Sequence, residues 1–79
     1  MKYKKHELKD VTRSQLIFVI DEYIVGFKAE RNKEILKRRL CDGLTYEELA
    51  EEFDMSVMQM KNIIYRNMEV IVKYLRVEV

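Results

Sequence analysis

Residues 45–65 read TYEELAEEFDMSVMQMKNIIY, and the reading of this stretch decides the fold. Its first nine residues carry four glutamates and no base. A short polar break follows, Asp54-Met55-Ser56, and then a second helical pattern with almost no acid. Tyr46, Leu49, Ala50 and Phe53 share one helical face, and Glu47, Glu48, Glu51 and Glu52 share the other. Beyond the break, Met60, Ile63 and Ile64 start another apolar stripe. Two helices joined this tightly and crossing steeply need a small residue where they come closest, and Ala50 supplies it. Leu49, Phe53 and Met55, with Met60 and Ile63 after the turn, supply the apolar contacts that set the angle. Asp54 stands at the junction, where the backbone is often left-handed, a conformation Asp tolerates better than most residues. The pattern is that of a helix-turn-helix. Its plainer alternative is an αα-hairpin that packs and does nothing more.

The helix starts are written alike. Val11-Thr12-Arg13-Ser14-Gln15-Leu16, Leu44-Thr45-Tyr46-Glu47-Glu48-Leu49 and Met55-Ser56-Val57-Met58-Gln59-Met60 each run apolar, hydroxyl, two residues, Gln or Glu, apolar. This is a capping box flanked by a hydrophobic staple: the hydroxyl accepts from an N–H three residues on, and the Gln or Glu reaches back to the cap's own N–H. A first helix is predicted from about Arg13 to Val25, with Leu16, Ile20, Tyr23, Ile24 and Phe27 inward and Gly26 ending it. A second runs from about Lys28 to Cys41. Its stripe is Ile35, Leu36 and Leu40, with Ala29 and Cys41 as small edge contacts. Lys37, Arg38 and Arg39 fall in its last turns, where cations suit the helix dipole. The third spans about Tyr46 to Phe53.

The fourth starts after Ser56 and reaches about Val77, roughly 30 Å at 1.5 Å per residue. Its apolar side is Met60, Ile63, Ile64, Ile71, Tyr74 and Leu75, widened by Met68 and Val70, and its far end is expected to overhang. The fold class is therefore all-α: one four-helix domain over residues 1–79. Residues 1–11 form a flexible basic N-terminus, 12–41 two supporting helices, and 44–79 a helix-turn-helix with an extended last helix.

Composition agrees. The 79 residues contain no proline, only Gly26 and Gly43, 48% hydrophobic and 37% charged residues, which suits a single small helical core. Net charge is +1, but it is unevenly spread. Residues 1–41 hold eleven bases against six acids, 42–54 six acids and no base, and 55–79 four bases against two acids. That distribution suits a charged partner approached from one side; its alternative is a set of ordinary solvated helix faces. Cys41 is alone, so there is no disulfide framework, in keeping with a reducing cytoplasm. No run reaches the roughly 18 apolar residues of a membrane span, and MKYKKHELKD leads into no signal-peptide apolar run.

No catalytic constellation is visible, so no enzyme is expected, and no cofactor or metal. There is no glycine-rich phosphate loop. His6, the one histidine, sits in the charged N-terminal segment. Cys41 reads as small core filler rather than nucleophile. Asp21 and Glu22 are adjacent and diverge on a helix, which makes them poor paired carboxylates or metal ligands.

Residues 29–75 resemble the C-terminal helix-turn-helix region (region 4) of bacterial RNA polymerase sigma factors. The resemblance is carried by the Asp42-Gly43-Leu44-Thr45 lead-in, the helix Tyr46-Glu47-Glu48-Leu49-Ala50-Glu51-Glu52-Phe53, the turn Asp54-Met55-Ser56 and the start of the fourth helix. The 79 residues hold no counterpart of the domain with which sigma factors melt promoter DNA. The resemblance is accordingly closer to small phage and mobile-element regulators that are only sigma-like. It implies double-stranded DNA as partner and transcription regulation as function.

With Met60, Ile63 and Ile64 inward, the DNA-facing residues are expected to be Ser56, Met58, Gln59, Lys61, Asn62, Tyr65 and Arg66, with Glu69 beside them. Gln59, Asn62 and Arg66 lie at i, i+3 and i+7. Gln and Asn can bond both edges of adenine, and Arg can bond guanine at two points in the major groove. Lys61 is better placed on a phosphate, which positions without reading sequence. Gln59 has a simpler alternative role as the reach-back member of its capping box. The glutamates of the third helix are expected to point away from the strands, and the N-termini of the third and fourth helices toward phosphate. Arg31 and Lys37 to Arg39 either flank the duplex or neutralise the third helix's acids.

One departure from the family counts against ordinary promoter reading. Promoter-reading sigma factors usually carry charged residues at the positions of Val57 and Met58. Region 4 also docks on the polymerase β-subunit flap through an apolar groove, so RNA polymerase is a second partner implied by the resemblance. The competing reading is thus a module that binds polymerase or a sigma factor without touching DNA; a purely structural helical bundle within a larger assembly is the other rival. Helix-turn-helix proteins often bind paired half-sites, which makes a homodimer a further expectation. Its face is either the far end of the fourth helix (Val70, Ile71, Tyr74, Leu75, Val77) or the first helix.

Overall fold

Thr12, Thr45 and Ser56 each end an irregular segment and start a helix. In all three the hydroxyl accepts from the N–H three residues on at 3.1 Å. Gln15, Glu48 and Gln59 in turn accept the cap's N–H at 2.9, 2.8 and 2.9 Å. Each box satisfies two N–H groups that a bare helix start leaves without partners, and a lost cap of this kind costs about 1 kcal/mol.

The computed structural model describes residues 11–77. Four helices follow in order: α1 (Arg13–Tyr23), α2 (Ala29–Leu40), α3 (Tyr46–Phe53) and α4 (Val57–Val77), with no strand among the described residues. The fold is all-α, as expected. No helix among the described residues is long and apolar enough to cross a membrane. His6 and most of the basic N-terminal stretch lie outside the described residues.

The first connection departs from expectation. α1 stops at Tyr23 rather than Val25, because Ile24 leaves the helix with an extended backbone (ψ 105°) while its N–H still donates to the Ile20 carbonyl at 3.2 Å. That exit keeps the Ile24 side chain buried. The chain then turns through Gly26 (φ 97°) and Lys28 (φ 60°), two left-handed residues on either side of Phe27. Phe27 was expected on the inner stripe. It is 88% exposed, because helical spacing no longer applies once the helix has ended.

α4 is the central element and touches each of the other three helices. Met60, Ile63 and Ile64 are buried in its first half, and Met68, Ile71, Val72 and Leu75 in its second. Val19, Ile20 and Ile24 from the α1 side, Ile35 and Leu36 from α2, and Leu49 and Ala50 from α3 complete the core. Tyr23 stacks on Tyr74 with ring centres 3.7 Å apart and planes 6° from parallel. The expected overhang of α4 is therefore absent as far as Leu75: α1 lies along its second half. For the same reason Ile71 and Leu75 are used up inside the monomer and offer no dimer face. Val77's side chain lies outside what is described.

The helices are also tied by charge. Arg13 donates to the Cys41 carbonyl at 3.0 Å and pairs with Asp42 at 3.1 Å, joining the start of α1 to the end of α2. Lys37 pairs with Asp21 across α1 and α2 at 2.9 Å, and Arg38 pairs with Glu52 across α2 and α3. Pairs this exposed contribute at most about 1 kcal/mol each, so they orient helices more than they stabilise them.

Candidate nucleic-acid interface

α3 leads into α4 through a tight, fully accounted turn. Asp54 adopts φ 56°, ψ 50°, the left-handed conformation expected of it. The Met55 N–H donates to the Ala50 carbonyl at 2.9 Å and the Asp54 N–H to the Glu51 carbonyl at 3.4 Å. This is a Schellman pairing, which satisfies carbonyls that a helix end leaves open. Ala50 is buried beside it. The reversal fixes which face of α4 meets the core and hence which face is left outside.

Along the first half of α4 the outward residues are those anticipated, except Lys61, which is half-buried over the Tyr46 ring. Met58 (67% exposed), Gln59, Asn62, Tyr65 (60% exposed) and Arg66 face solvent, as does Glu69. Met58 and Asn62, and Asn62 and Arg66, are each one turn apart on this flank. Val57 is half-buried against the core, so of the apolar pair Val57-Met58 only Met58 is displayed. Ser56 is exposed, with its hydroxyl engaged by the Gln59 N–H.

Gln59 is constrained. Its Oε1 accepts the Ser56 N–H at 2.9 Å. A two-point contact with adenine needs the amide oxygen as acceptor together with the amide nitrogen as donor. While the capping box is closed, the amide oxygen is turned back onto the Ser56 N–H, so the capping role weighs against Gln59 as a two-point reader. Asn62 carries no such engagement among the described residues.

Lys61 and Tyr65 are drawn to a feature absent from the sequence-based site list. Tyr46, the first residue of α3, forms an edge-on pair with Tyr65, ring centres 6.4 Å apart and planes at 88°. The Lys61 ammonium lies 5.6 Å from the Tyr46 ring centre and the Arg39 guanidinium 4.3 Å from it. Arg39 also donates to the Leu44 carbonyl at 2.8 Å. One aromatic ring thus gathers a cation from the end of α2 and a cation and an aromatic from α4 at the N-terminal end of α3. Burial pushes the Tyr46 hydroxyl above its ordinary value, and the neighbouring Tyr65 adds to this. The only hint in the sequence is that the residue after a capping Thr sits at the mouth of its helix, where a partner helix can reach it.

The bases of α2 are mostly committed elsewhere. Lys37 is held by Asp21, whose hydrogen bond raises the Lys37 ammonium above the usual lysine range. Arg38 is held by Glu52, and Arg31 donates twice to the Asn32 side chain, at 3.2 and 3.1 Å. Of the bases considered as flanks for a duplex, Arg39 alone stands beside α4's outward face. Two of α3's four glutamates are engaged as well: Glu48 closes its cap and Glu52 binds Arg38. Glu47 and Glu51 are exposed. Cys41, half-buried at the end of α2, has its thiol pushed up by burial, the behaviour of core filler rather than of a nucleophile.

No group of three or more His, Cys, Asp or Glu among the described residues is arranged to hold a metal ion. No protein-family model, curated protein or solved structure matches this chain.

Proposed function

We propose that this protein is a small, non-enzymatic transcription regulator that binds double-stranded DNA through a sigma region 4-like helix-turn-helix, in the cytoplasm of a bacterial host. α3 is the brace and α4 the probe. The observation that carries the reading is the exposed flank Met58–Asn62–Tyr65–Arg66 of α4, set beside the cationic ring of Arg39 and Lys61 around Tyr46. Asn62 and Arg66 have the side-chain chemistry to read base edges in the major groove. Lys61 and Arg39 have the charge to meet phosphates on either side. Glu52 is drawn toward α2, which turns its charge away from that end of α3, while Glu48 is spent on α3's own cap.

The test is selection of bound sequences from a random duplex pool, followed by a salt titration on the winner. Phosphate-driven binding falls linearly in log–log form with added salt, by close to one power per phosphate neutralised. Enrichment of a defined sequence with a steep salt slope supports the reading. Absence of binding even at low salt ends it.

A second reading has one specific observation in its favour. Met58 is a large apolar residue in the middle of the flank, where promoter-reading sigma factors usually carry charge. That suits a protein partner, RNA polymerase or a sigma factor, bound without DNA contact. Capture of polymerase by a chain that ignores DNA selects it.

A further inference from the structure

We infer that Met58 is a specificity-determining residue of the α4 flank, and that the group it reads is the C5-methyl of a thymine. The inference rests on the DNA reading and names what one position of the target holds. In a helix-turn-helix the residues near the start of the second helix are the ones that meet base edges. Met58 is the second residue of α4 and is 67% exposed. Asn62 follows one turn on and Arg66 one turn beyond, both exposed on the same flank.

The neighbours of Met58 narrow its task. Of the first four residues of α4, Met60 is buried, Val57 is half-buried against the core, and Gln59 closes the cap with Ser56. Met58 alone is committed to neither core nor cap. A thioether has no hydrogen to donate and is at most a weak acceptor, so Met58 cannot read the donor and acceptor pattern of a base pair. The major-groove edge of unmodified DNA carries one apolar group, the thymine C5-methyl, and apolar side chains read it by contact. A flexible, polarizable methionine side chain adapts to such a group without demanding a single placement.

The surroundings favour an isolated methyl over an apolar groove on a protein. A helix that docks in such a groove offers a row of apolar anchors at i, i+3 or i+4, and i+7. From Met58, Lys61 stands at i+3 and Asn62 at i+4. The next exposed large apolar residue on α4, Tyr65, is two turns away, about 10 Å at 1.5 Å per residue. One apolar side chain set among amides and cations matches one methyl set among polar base edges and phosphates.

Spacing places the thymine. Met58 and Asn62 are separated by about 6 Å along the helix axis, and stacked base pairs by about 3.4 Å. The thymine therefore lies within about two base pairs of the position that Asn62 reads.

Replacing thymine by uracil removes the methyl and leaves the base's hydrogen-bonding groups in place, so it tests the contact directly. On the duplex selected by the parent chain, uracil is put in for thymine one position at a time. One position, within about two base pairs of the one that Asn62→Ala relaxes, should lose binding about fourfold, the factor that one methylene-sized apolar contact is worth. Met58→Ala should bind the thymine and uracil duplexes alike, and Met58→Leu should keep a preference for thymine. The melting temperature of Met58→Ala should match the parent's, because the side chain stands outside the core; that separates a lost contact from a lost fold. A selected site with no thymine in that window, a parent chain indifferent to uracil at every position, or a thymine preference that persists in Met58→Ala overturns the assignment and leaves the DNA reading standing. A chain that enriches no duplex at all sinks both.

Discussion

Arg39 lies over the ring of Tyr46, its guanidinium carbon 4.3 Å from the ring centre. The contact joins the last turn of α2 to the first residue of α3, and with Lys61 and Tyr65 it extends to α4. A planar cation on a half-buried ring is worth on the order of 1 kcal/mol, and the ring adds its own packing. Tyr46→Phe keeps ring, stack and packing, so urea denaturation should show a change within about 1 kcal/mol. Tyr46→Ala removes the surface that three helices share and should cost about 2–3 kcal/mol, somewhat below the range for a fully buried aromatic. Equal losses from both variants would locate the stabilisation in the hydroxyl instead.

Asp54 adopts φ 56° at the turn between α3 and α4. For a residue with a Cβ this conformation is unfavourable by roughly 1–2 kcal/mol, and glycine escapes the penalty. Glycine also loses more chain entropy on folding, so Asp54→Gly should stabilise by no more than about 1 kcal/mol. Asp54→Val should destabilise by more than that, since a β-branched side chain is a poor occupant of the left-handed region. Paired thermal melts of the two variants check the order; a valine variant as stable as the parent would contradict the assigned backbone.

The helix starts are legible in the sequence because each is written within four residues. Thr12–Gln15, Thr45–Glu48 and Ser56–Gln59 close locally, whatever the rest of the chain does. The outward flank of α4 is legible by elimination, since Met60, Ile63 and Ile64 leave Met58, Asn62, Tyr65 and Arg66 nowhere else to point. The connection after α1 is not legible in this way. Periodicity carries Phe27 onto the inner stripe, but Ile24 leaves the helix to keep its own side chain buried, and everything after it changes face. The group of Arg39, Tyr46, Lys61 and Tyr65 is hidden for another reason. It joins three helices, and no spacing within any one of them announces it. Val72, buried between α4's two apolar rows, belongs to the core because α1 covers that part of the helix, which the sequence does not declare.

Three groups lean the same way with pH. Burial raises the Cys41 thiol and the Tyr46 hydroxyl, and the hydrogen bond to Asp21 raises the Lys37 ammonium. In each case the folded chain holds its proton more tightly than the unfolded chain. Stability is then complete below the ordinary values of these groups and falls as pH rises through the folded ones. The loss should begin near pH 9 with the thiol and grow through the tyrosine and lysine range, about pH 10–11. Melting temperatures measured between neutral and strongly alkaline pH should show that decline. Asp21→Asn should remove the lysine part of it while leaving the thiol and tyrosine parts in place.

Lys61 and Asn62 are neighbours on α4 with different surroundings, which separates their expected roles. Lys61 is half-buried and leans over the Tyr46 ring at 5.6 Å, a position suited to a phosphate beside the groove rather than to a base edge within it. Asn62 is exposed on the flank with its amide free of the capping bonds that occupy Gln59. On the DNA selected by the parent chain, Lys61→Ala should weaken all sequences alike and reduce the salt slope by about one unit. Asn62→Ala should leave the slope nearly unchanged and relax preference at a single base pair, by about 1–3 kcal/mol of discrimination. Binding to a panel of single-base variants at several salt concentrations measures both quantities at once. If Asn62→Ala costs the same on every sequence, Asn62 is a backbone contact, and base reading on this flank falls to Arg66.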